Sequence, residues 1–319
     1  MEYKDLILTW EDYGEIARIK FNRPDFMNAG VSFDEVQAAV DEINASNKCR
    51  VCIVEGAGRA FSAGGDMTKK VVHEPGPIEF REDHKAKAHA DSLARCRVPV
   101  IGKIHGYALA MGFSYAIQCD IIIAAEGTVF SPHAGKFGDG PTYWALTYQL
   151  PLRIFNDMFY TYRRFTAEEL VPCGFVNKVV PMDQLEDEVM AKAREIANIQ
   201  PLVIRLQKEA VQYDLQCMGY ENAKKGEHLF HYLGDYNVSL WDPEVVEKRR
   251  KLGMKWFNHA VKLGAFRDNE TRDACINACT EEMIRQGGEF TDYDKMDEVM
   301  KETIEAIRSN PDWNGPVIR

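Results

Sequence analysis

Apolar and polar positions follow two different periods along the first half of this chain. Leu6–Trp10 and Ile16–Phe21 show the two-residue period of strands, and the polar stretch near Asp12–Gly14 between them predicts a hairpin. Phe33–Ile43 carries apolar residues at helical spacing, and Arg50–Glu55 reads as a short buried strand. Further on, Val98–Ile104 predicts a strand, Met111–Gln118 a helix and Cys119–Ala125 another strand. This βα alternation predicts an α/β core with strands covered on one or both faces. Met67–Lys87 breaks the pattern. It is polar and charged, contains Pro75-Gly76-Pro77, and reads as a mobile lid running into a helix that ends near Cys96.

From about Thr166 the pattern turns helical. Thr166-Ala167-Glu168-Glu169 is a capping box, Pro172-Cys173-Gly174 ends the short helix it opens, and Phe175–Val180 is a last strand. Helices are predicted over Met182–Asn198, Pro201–Asp214, Asn222–Leu233 and Pro243–Leu263. Two more amphipathic helices, Thr271–Gln286 and Asp294–Ser309, flank the turn Gly287-Gly288. The expected divisions are a core over 1–180, a helical region over 181–257 and an extension over 258–319. The extension carries no recognisable chemistry and is expected to pack against a neighbouring subunit or to cover a site mouth.

Composition narrows the class. With 319 residues and 45% apolar content the chain can bury a full core. A net charge of -10 disfavours nucleic acid as the main partner, since phosphate binding needs a basic surface. The N-terminus lacks a secretory pattern, and the longest apolar run, about Cys119–Ala125, falls far short of the ~20 residues of a membrane span. Of the eight cysteines only Cys49 and Cys52 approach a metal-binding spacing, in an apolar strand-like run with no second pair. No metal site is expected. Reduced, mostly buried thiols in a cytoplasmic enzyme are the simplest expectation.

Two glycine-bearing turns carry the chemistry: Phe61-Ser62-Ala63-Gly64-Gly65-Asp66, and His105-Gly106-Tyr107-Ala108-Leu109-Ala110-Met111-Gly112. Each lies between a predicted strand and a predicted helix, so the two can aim backbone N–H groups at one oxygen. With Asn22-Arg23-Pro24 and Asn28-Ala29 upstream and Cys119-Asp120 downstream, the chain resembles the crotonase (enoyl-CoA hydratase/isomerase) superfamily over about residues 1–257. The resemblance implies a crotonase-type spiral of β-β-α units with a C-terminal helical oligomerisation region. The assembly it implies is a homotrimer or dimer of trimers. It maps the two donors of an oxyanion hole onto the N–H groups of Gly65 and Met111. A helix N-terminus suits the second, because its first N–H groups are free.

The same alignment removes the family's usual acid–base pair. The two glutamates of an ordinary hydratase fall on Ser114 and Ala134. What stands nearby is Ser131-Pro132-His133, followed by Gly138-Asp139-Gly140. A histidine titrates near ~6.5 and can act as a general base, and an aspartate can orient it. These elements resemble the 6-oxocamphor hydrolase branch of β-diketone hydrolases, although His133 and Asp139 stand closer together here. Asp139-Gly140-Pro141 is also ordinary turn chemistry. His105 is expected to be structural, Tyr143 and Trp144 to line an acyl pocket or the core, and His84 and His89 to lie on a solvated face.

Coenzyme A needs an adenine acceptor and cations. The resemblance maps the former onto the Ala63 carbonyl within the turn ending at Asp66. For the phosphates it offers Lys69 and Lys70 after that turn, with Lys248, Arg249 and Arg250 as a C-terminal basic cluster. No tightly bound cofactor is expected, and coenzyme A enters as part of the substrate. Three readings remain open: an acyl-CoA enzyme working through an enolate, a CoA-independent C–C hydrolase of a cyclic β-diketone, and a non-catalytic scaffold that kept the fold.

Overall fold

The computed structural model describes residues 2–66, 91–133, 146–239, 243–266, 268–288 and 292–310. In chain order the elements begin with β1 (Leu6–Glu11), β2 (Ile16–Phe21), α1 (Phe33–Ala45), β3 (Val51–Gly56), β4 (Val100–Ile104) and β5 (Tyr107–Leu109). They continue with α2 (Met111–Ala116), β6 (Ile121–Ala125), β7 (Val129–Ser131), α3 (Leu152–Thr161), β8 (Phe165–Thr166), α4 (Ala167–Leu170) and β9 (Lys178–Val180). Helices complete the chain: α5 (Leu185–Ala197), α6 (Pro201–Cys217), α7 (Tyr220–Ser239), α8 (Pro243–Leu263), α9 (Asn269–Arg285) and α10 (Tyr293–Arg308).

The predicted hairpin forms as β1 and β2, antiparallel from Leu6↔Phe21 to Glu11↔Ile16. Its turn places Asp12, Tyr13 and Gly14 at positive φ (45°, 61° and 90°), a conformation that favours short polar residues and glycine. From β2 onward the sheet is parallel, in the order β1-β2-β3-β4-β6-β9. A second sheet of three short strands, β5-β7-β8, stands beside it. All six residues of β3 are buried, as expected of a parallel strand covered on both faces.

Alternation along the strands separates two cores. Ala17, Ile19, Phe21, Cys52, Val54, Val100 and Ile104 face a large cluster with α1, Phe113, Phe130 and Phe165. Ile16, Val51, Ile53, Ile101 and Ile123 face Leu185, Val189 and Ala193 of α5 on the opposite side. Arg18 and Lys103 share that second face by the same period, and they are not left unpaired. Arg18 meets Glu55 at 3.1 Å and Glu186 at 2.7 Å, and Lys103 meets Glu55 at 2.8 Å and also Glu186. The network ties α5 to three strands. Lys208 does the same for α6, its buried ammonium donating to the Val98 carbonyl at 3.0 Å and to Asp120 at 2.6 Å.

The capping box closes as expected: Glu169 N–H donates to the Thr166 hydroxyl and Thr166 N–H to the Glu169 carboxylate. All eight cysteines are free, five of them buried. No helix among the described residues is long and apolar enough to cross a membrane.

The chain divides into two compact units, Met1–Ser239 and Leu240–Arg319. Helix α8 runs through the 257/258 position at which the sequence suggested an extension to begin. Within the second unit α8 bends at Gly253 (φ 77°) and buries Trp256 and Phe257 against Phe266. Asp268 and Asp292 cap α9 and α10, accepting from Thr271 N–H at 2.7 Å and Lys295 N–H at 2.9 Å. Gly287 and Gly288 turn the chain between those helices at φ 92° and 96°.

Candidate active site

Asn28 begins the construction. Fully buried and at φ 55°, it donates from its amide to the carbonyls of Ala57 and Ala60, each at 2.8 Å, and accepts from Arg23 N–H at 2.8 Å. This fixes the chain leaving β3. The next residues then run along the chain leaving β4: Phe61 N–H donates to the His105 carbonyl at 2.8 Å, and Ser62 N–H to Tyr107 at 2.9 Å. In return Leu109 N–H donates to the Ser62 carbonyl at 3.0 Å. Ser62 thus forms an isolated parallel bridge to Ala108 of β5.

That bridge sets the two glycine turns side by side. Gly64 sits at φ 105°, and a Cβ there would come within 2.8 Å of both the Ala110 Cβ and the Leu109 carbonyl oxygen. A Cβ at Gly112 would run into the Ser62 carbonyl. Both glycines are therefore demanded by close approach of one turn to the other. At Gly65, among the described residues, no atom beyond its chain neighbours lies within 4 Å of a Cβ position. Ala110, before the first turn of α2, is held at φ 48° by donating its N–H to the Ser131 carbonyl at 3.0 Å. Among the described residues, the N–H groups of Gly65 and Met111 meet no acceptor.

His133 follows two residues after Ser131 and occupies positive φ, at 43°. Its place in the chain puts it within about 7 Å of the Ser131 backbone that supports Ala110. Ser114 is buried in α2, its hydroxyl 3.4 Å from the Ala110 carbonyl of its own helix. His105 is buried, its Nε2 2.8 Å from the Gly58 carbonyl, and burial lowers its pKa against the smaller opposing effect of that bond.

Of the residues proposed for coenzyme A, Ala63 lies in the first turn, its N–H donating to the Met27 carbonyl at 2.9 Å. The Asp66 carboxylate is buried and ion-paired with Arg23 at 2.9 Å. Lys248 and Arg249 lie on α8 in the second unit. There Lys248 meets Glu244 at 2.7 Å and Asn277 at 3.0 Å. Arg249 stands over the Phe257 ring at 5.8 Å, its pKa lowered by burial and then by Arg272. Asp139, Lys69 and Lys70 lie outside the described residues, as do Ala134, Tyr143, Trp144, His84, His89 and the whole lid segment Met67–Lys87. Arg23, Asn28 and Ser62 were not singled out as site residues from sequence, yet they build the turns.

The geometry agrees with known proteins. Residues 11–254 match the family described as enoyl-CoA hydratase/isomerase. The "Probable enoyl-CoA hydratase, mitochondrial" of Dictyostelium discoideum is 31% identical over 249 residues, 76% of this chain and 88% of the relative. The "Probable enoyl-CoA hydratase 1, peroxisomal" of Arabidopsis thaliana is 31% identical over 64% of this chain and 77% of the relative. Among solved structures, a probable enoyl-CoA hydratase from Mycobacterium thermoresistibile superposes with a TM-score of 0.67 at 29% identity, covering 73% of this chain and 98% of the other. Over more than three-quarters of its length, then, this chain is a member of the enoyl-CoA hydratase/isomerase, or crotonase, family.

Proposed function

We propose that the protein acts on an acyl-CoA thioester and stabilises an enolate or tetrahedral oxyanion between the N–H groups of Gly65 and Met111. One observation carries this reading: the Ser62–Ala108 bridge holds two turns together whose Gly65 and Met111 N–H groups have no acceptor among the described residues. A pair of fixed donors aimed at developing charge lowers a barrier without reorganisation, each worth roughly 10²–10³ in rate. The relatives named enoyl-CoA hydratases support a thioester carbonyl as the group that enters.

The proton chemistry departs from the two-glutamate route. Ser114 stands where one glutamate is expected and is a poor base near neutral pH; the second position, Ala134, has no proton to exchange. His133 is the proposed replacement, with Asp139 as its orienting carboxylate. Its positive φ supports a residue held for a purpose, since a non-glycine residue rarely adopts that backbone unforced. Coenzyme A is part of the substrate rather than a resident cofactor. Ala63, Lys69 and Lys70, which follow one another closely in sequence, are proposed contacts for it, and Lys248 and Arg249 are the proposed C-terminal ones.

The proposed assembly is a homotrimer or dimer of trimers. Its support is the set of exposed apolar residues on α6 and α7, among them Leu202, Val203, Leu206 and Phe230, which are 50–61% exposed. Exposed apolar surface of this kind marks association.

Calorimetric titration with acetoacetyl-CoA, with free coenzyme A as control, tests the reading on the wild type and on His133→Ala. We expect micromolar binding to both proteins. Turnover of an acyl-CoA panel should be confined to the wild type. Unchanged kcat/KM in the variant would remove His133 from the mechanism. No detectable binding by well-folded protein would favour a CoA-independent β-diketone hydrolase, and inactivity on both substrate classes would favour the scaffold.

A further inference from the structure

Backbone groups alternate in direction along a strand, so the bonds made on one edge reveal what the other edge presents. The Glu15 carbonyl just before β2 and the Phe21 carbonyl at its end accept from Arg50 and Ala57, which flank β3, each at 2.8 Å. The odd residues of β2 therefore turn their backbone groups toward β3 and the even ones toward β1. Asn22 N–H agrees, donating to the Asp5 carbonyl at 2.8 Å. Ile7 lies opposite Lys20 and Thr9 opposite Arg18, so the odd residues of β1 bond to β2. Leu6, Leu8 and Trp10 then turn their N–H and C=O groups outward, and β1 is the last strand of its sheet. Among the described residues none of these groups has a hydrogen-bond partner.

Open edges are usually blunted by a lysine, a proline or a bulge. Leu6–Trp10 contains no proline, glycine or charged residue, and its pairing with β2 runs without a bulge. Ile7 is 41% exposed and Trp10 37%. The open stretch also has defined ends. Before it, the Glu35 carboxylate takes the N–H groups of Lys4 and Asp5, at 3.0 and 2.9 Å. After it, the chain turns away at Asp12–Gly14. Leu8 is the midpoint of the free groups.

We infer that β1 is a docking edge for a second copy of this chain, the two strands pairing antiparallel about a two-fold axis at Leu8. That register sets Leu8 opposite Leu8 and Leu6 opposite Trp10, which uses every free group of both copies. A shift of two residues brings in either Lys4, whose N–H is already committed, or Asp12 of the turn. A shift of one residue sets outward groups against groups that already bond to β2. Leu6 and Leu8 belong to the large core, so the row they form with Trp10 continues its apolar face across the axis. At the ends Lys4 comes opposite Asp12. Asp5 and Glu11 also meet, but each already faces an arginine, Arg23 at 3.5 Å and Arg18 at 2.6 Å. The inference is independent of the proposed reaction and uses a surface other than α6 and α7.

Sedimentation of the full-length protein tests it, with circular dichroism as the check on folding. The wild type should sediment as an even-numbered species. Ile7→Lys/Thr9→Lys sets lysines against each other across the axis, while in a single chain both positions are exposed. That variant should have half the wild-type mass and unchanged secondary structure. The register is read by crosslinking in a Cys217→Ser background, which removes an exposed native thiol. Ile7 of one copy and Thr9 of the other stand about 4.5 Å apart at Cα, within disulfide reach. Ile7→Cys co-expressed with Thr9→Cys should crosslink on mild oxidation. Either variant alone holds its cysteines diagonally, too far apart to bond. If the lysine variant fails to fold, the crosslink decides alone. A monomeric or odd-numbered wild type overturns the inference, as does an unchanged mass in the folded lysine variant. So does a mixture that fails to crosslink, or that crosslinks no better than either variant alone.

Discussion

At the scale of single residues, the site depends on where a side chain is absent. Gly112 lies so close to the Ser62 carbonyl that a methyl group forces the two turns apart. Ser62 in turn accepts from Leu109 N–H at 3.0 Å, so the strain falls on the contact that aligns the donors. Gly112→Ala should therefore lower kcat/KM on an acyl-CoA substrate by about 100-fold, the loss of one donor, with the far-ultraviolet circular dichroism unchanged. Unimpaired turnover would show that the turns tolerate separation. The two glycine turns were legible in the sequence because their glycines mark close backbone approach at fixed offsets. The partnership of Arg23 with Asp66 was not. The two residues lie 43 positions apart, both types are common on surfaces, and only the closed fold reveals that they meet. Ser62 contributes through its backbone and its bridge to Ala108, which no side-chain pattern announces.

At the scale of elements, long periodic segments and capped ones were readable, and some very short strands were not. The β1–β2 hairpin, α1, the α4 capping box and the helices from α5 to α10 follow from periodicity and caps. β5 and β8, of three and two residues, are too short to express a period. Helix α3 is different, because Ile154, Phe155, Met158 and Phe159 do stand at helical spacing, and the pattern went unread beside the glycine-rich stretch before it. Helices α6 and α7 carry a feature that burial alone would not predict. Leu206 on α6 is 59% exposed and Phe230 on α7 61% exposed. A charge placed within such a surface opposes its burial in an assembly but costs a solvated monomer little. Leu206→Glu should shift the sedimenting species toward monomer while preserving helical content. An unchanged oligomer, or a wild type that is already monomeric, would separate this face from assembly.

At the scale of the whole molecule, buried ionisable groups link stability to pH. Burial alone would raise the Glu55 pKa, but Lys103, Arg18 and Lys20 outweigh it and hold it below its ordinary value of 4.5. Glu186, also opposed by burial, is lowered by Lys103 and Arg18. His105 is lowered from 6.5 chiefly by burial. For each group the unfolded chain binds protons more readily than the folded one, so its contribution is complete above the unfolded pKa and lost as pH falls. The melting temperature should be level near neutrality, begin to fall below about pH 6.5 as unfolded His105 protonates, and fall more steeply below about pH 4.5. A constant melting temperature between pH 7 and pH 4 would contradict this assignment. The Ser62–Ala108 bridge has a further consequence, in the order of assembly. It joins the segment leaving β3 to β5, while Arg23 and Gly30 arrive from one other part of the chain and Ser131 from a second. Contacts between residues distant in sequence form late, because loop closure must precede their reward. A nascent or recovering chain can therefore hold its hairpin and several helices while its anion site does not yet exist, and competence for ligand arrives only with the last closures of the fold.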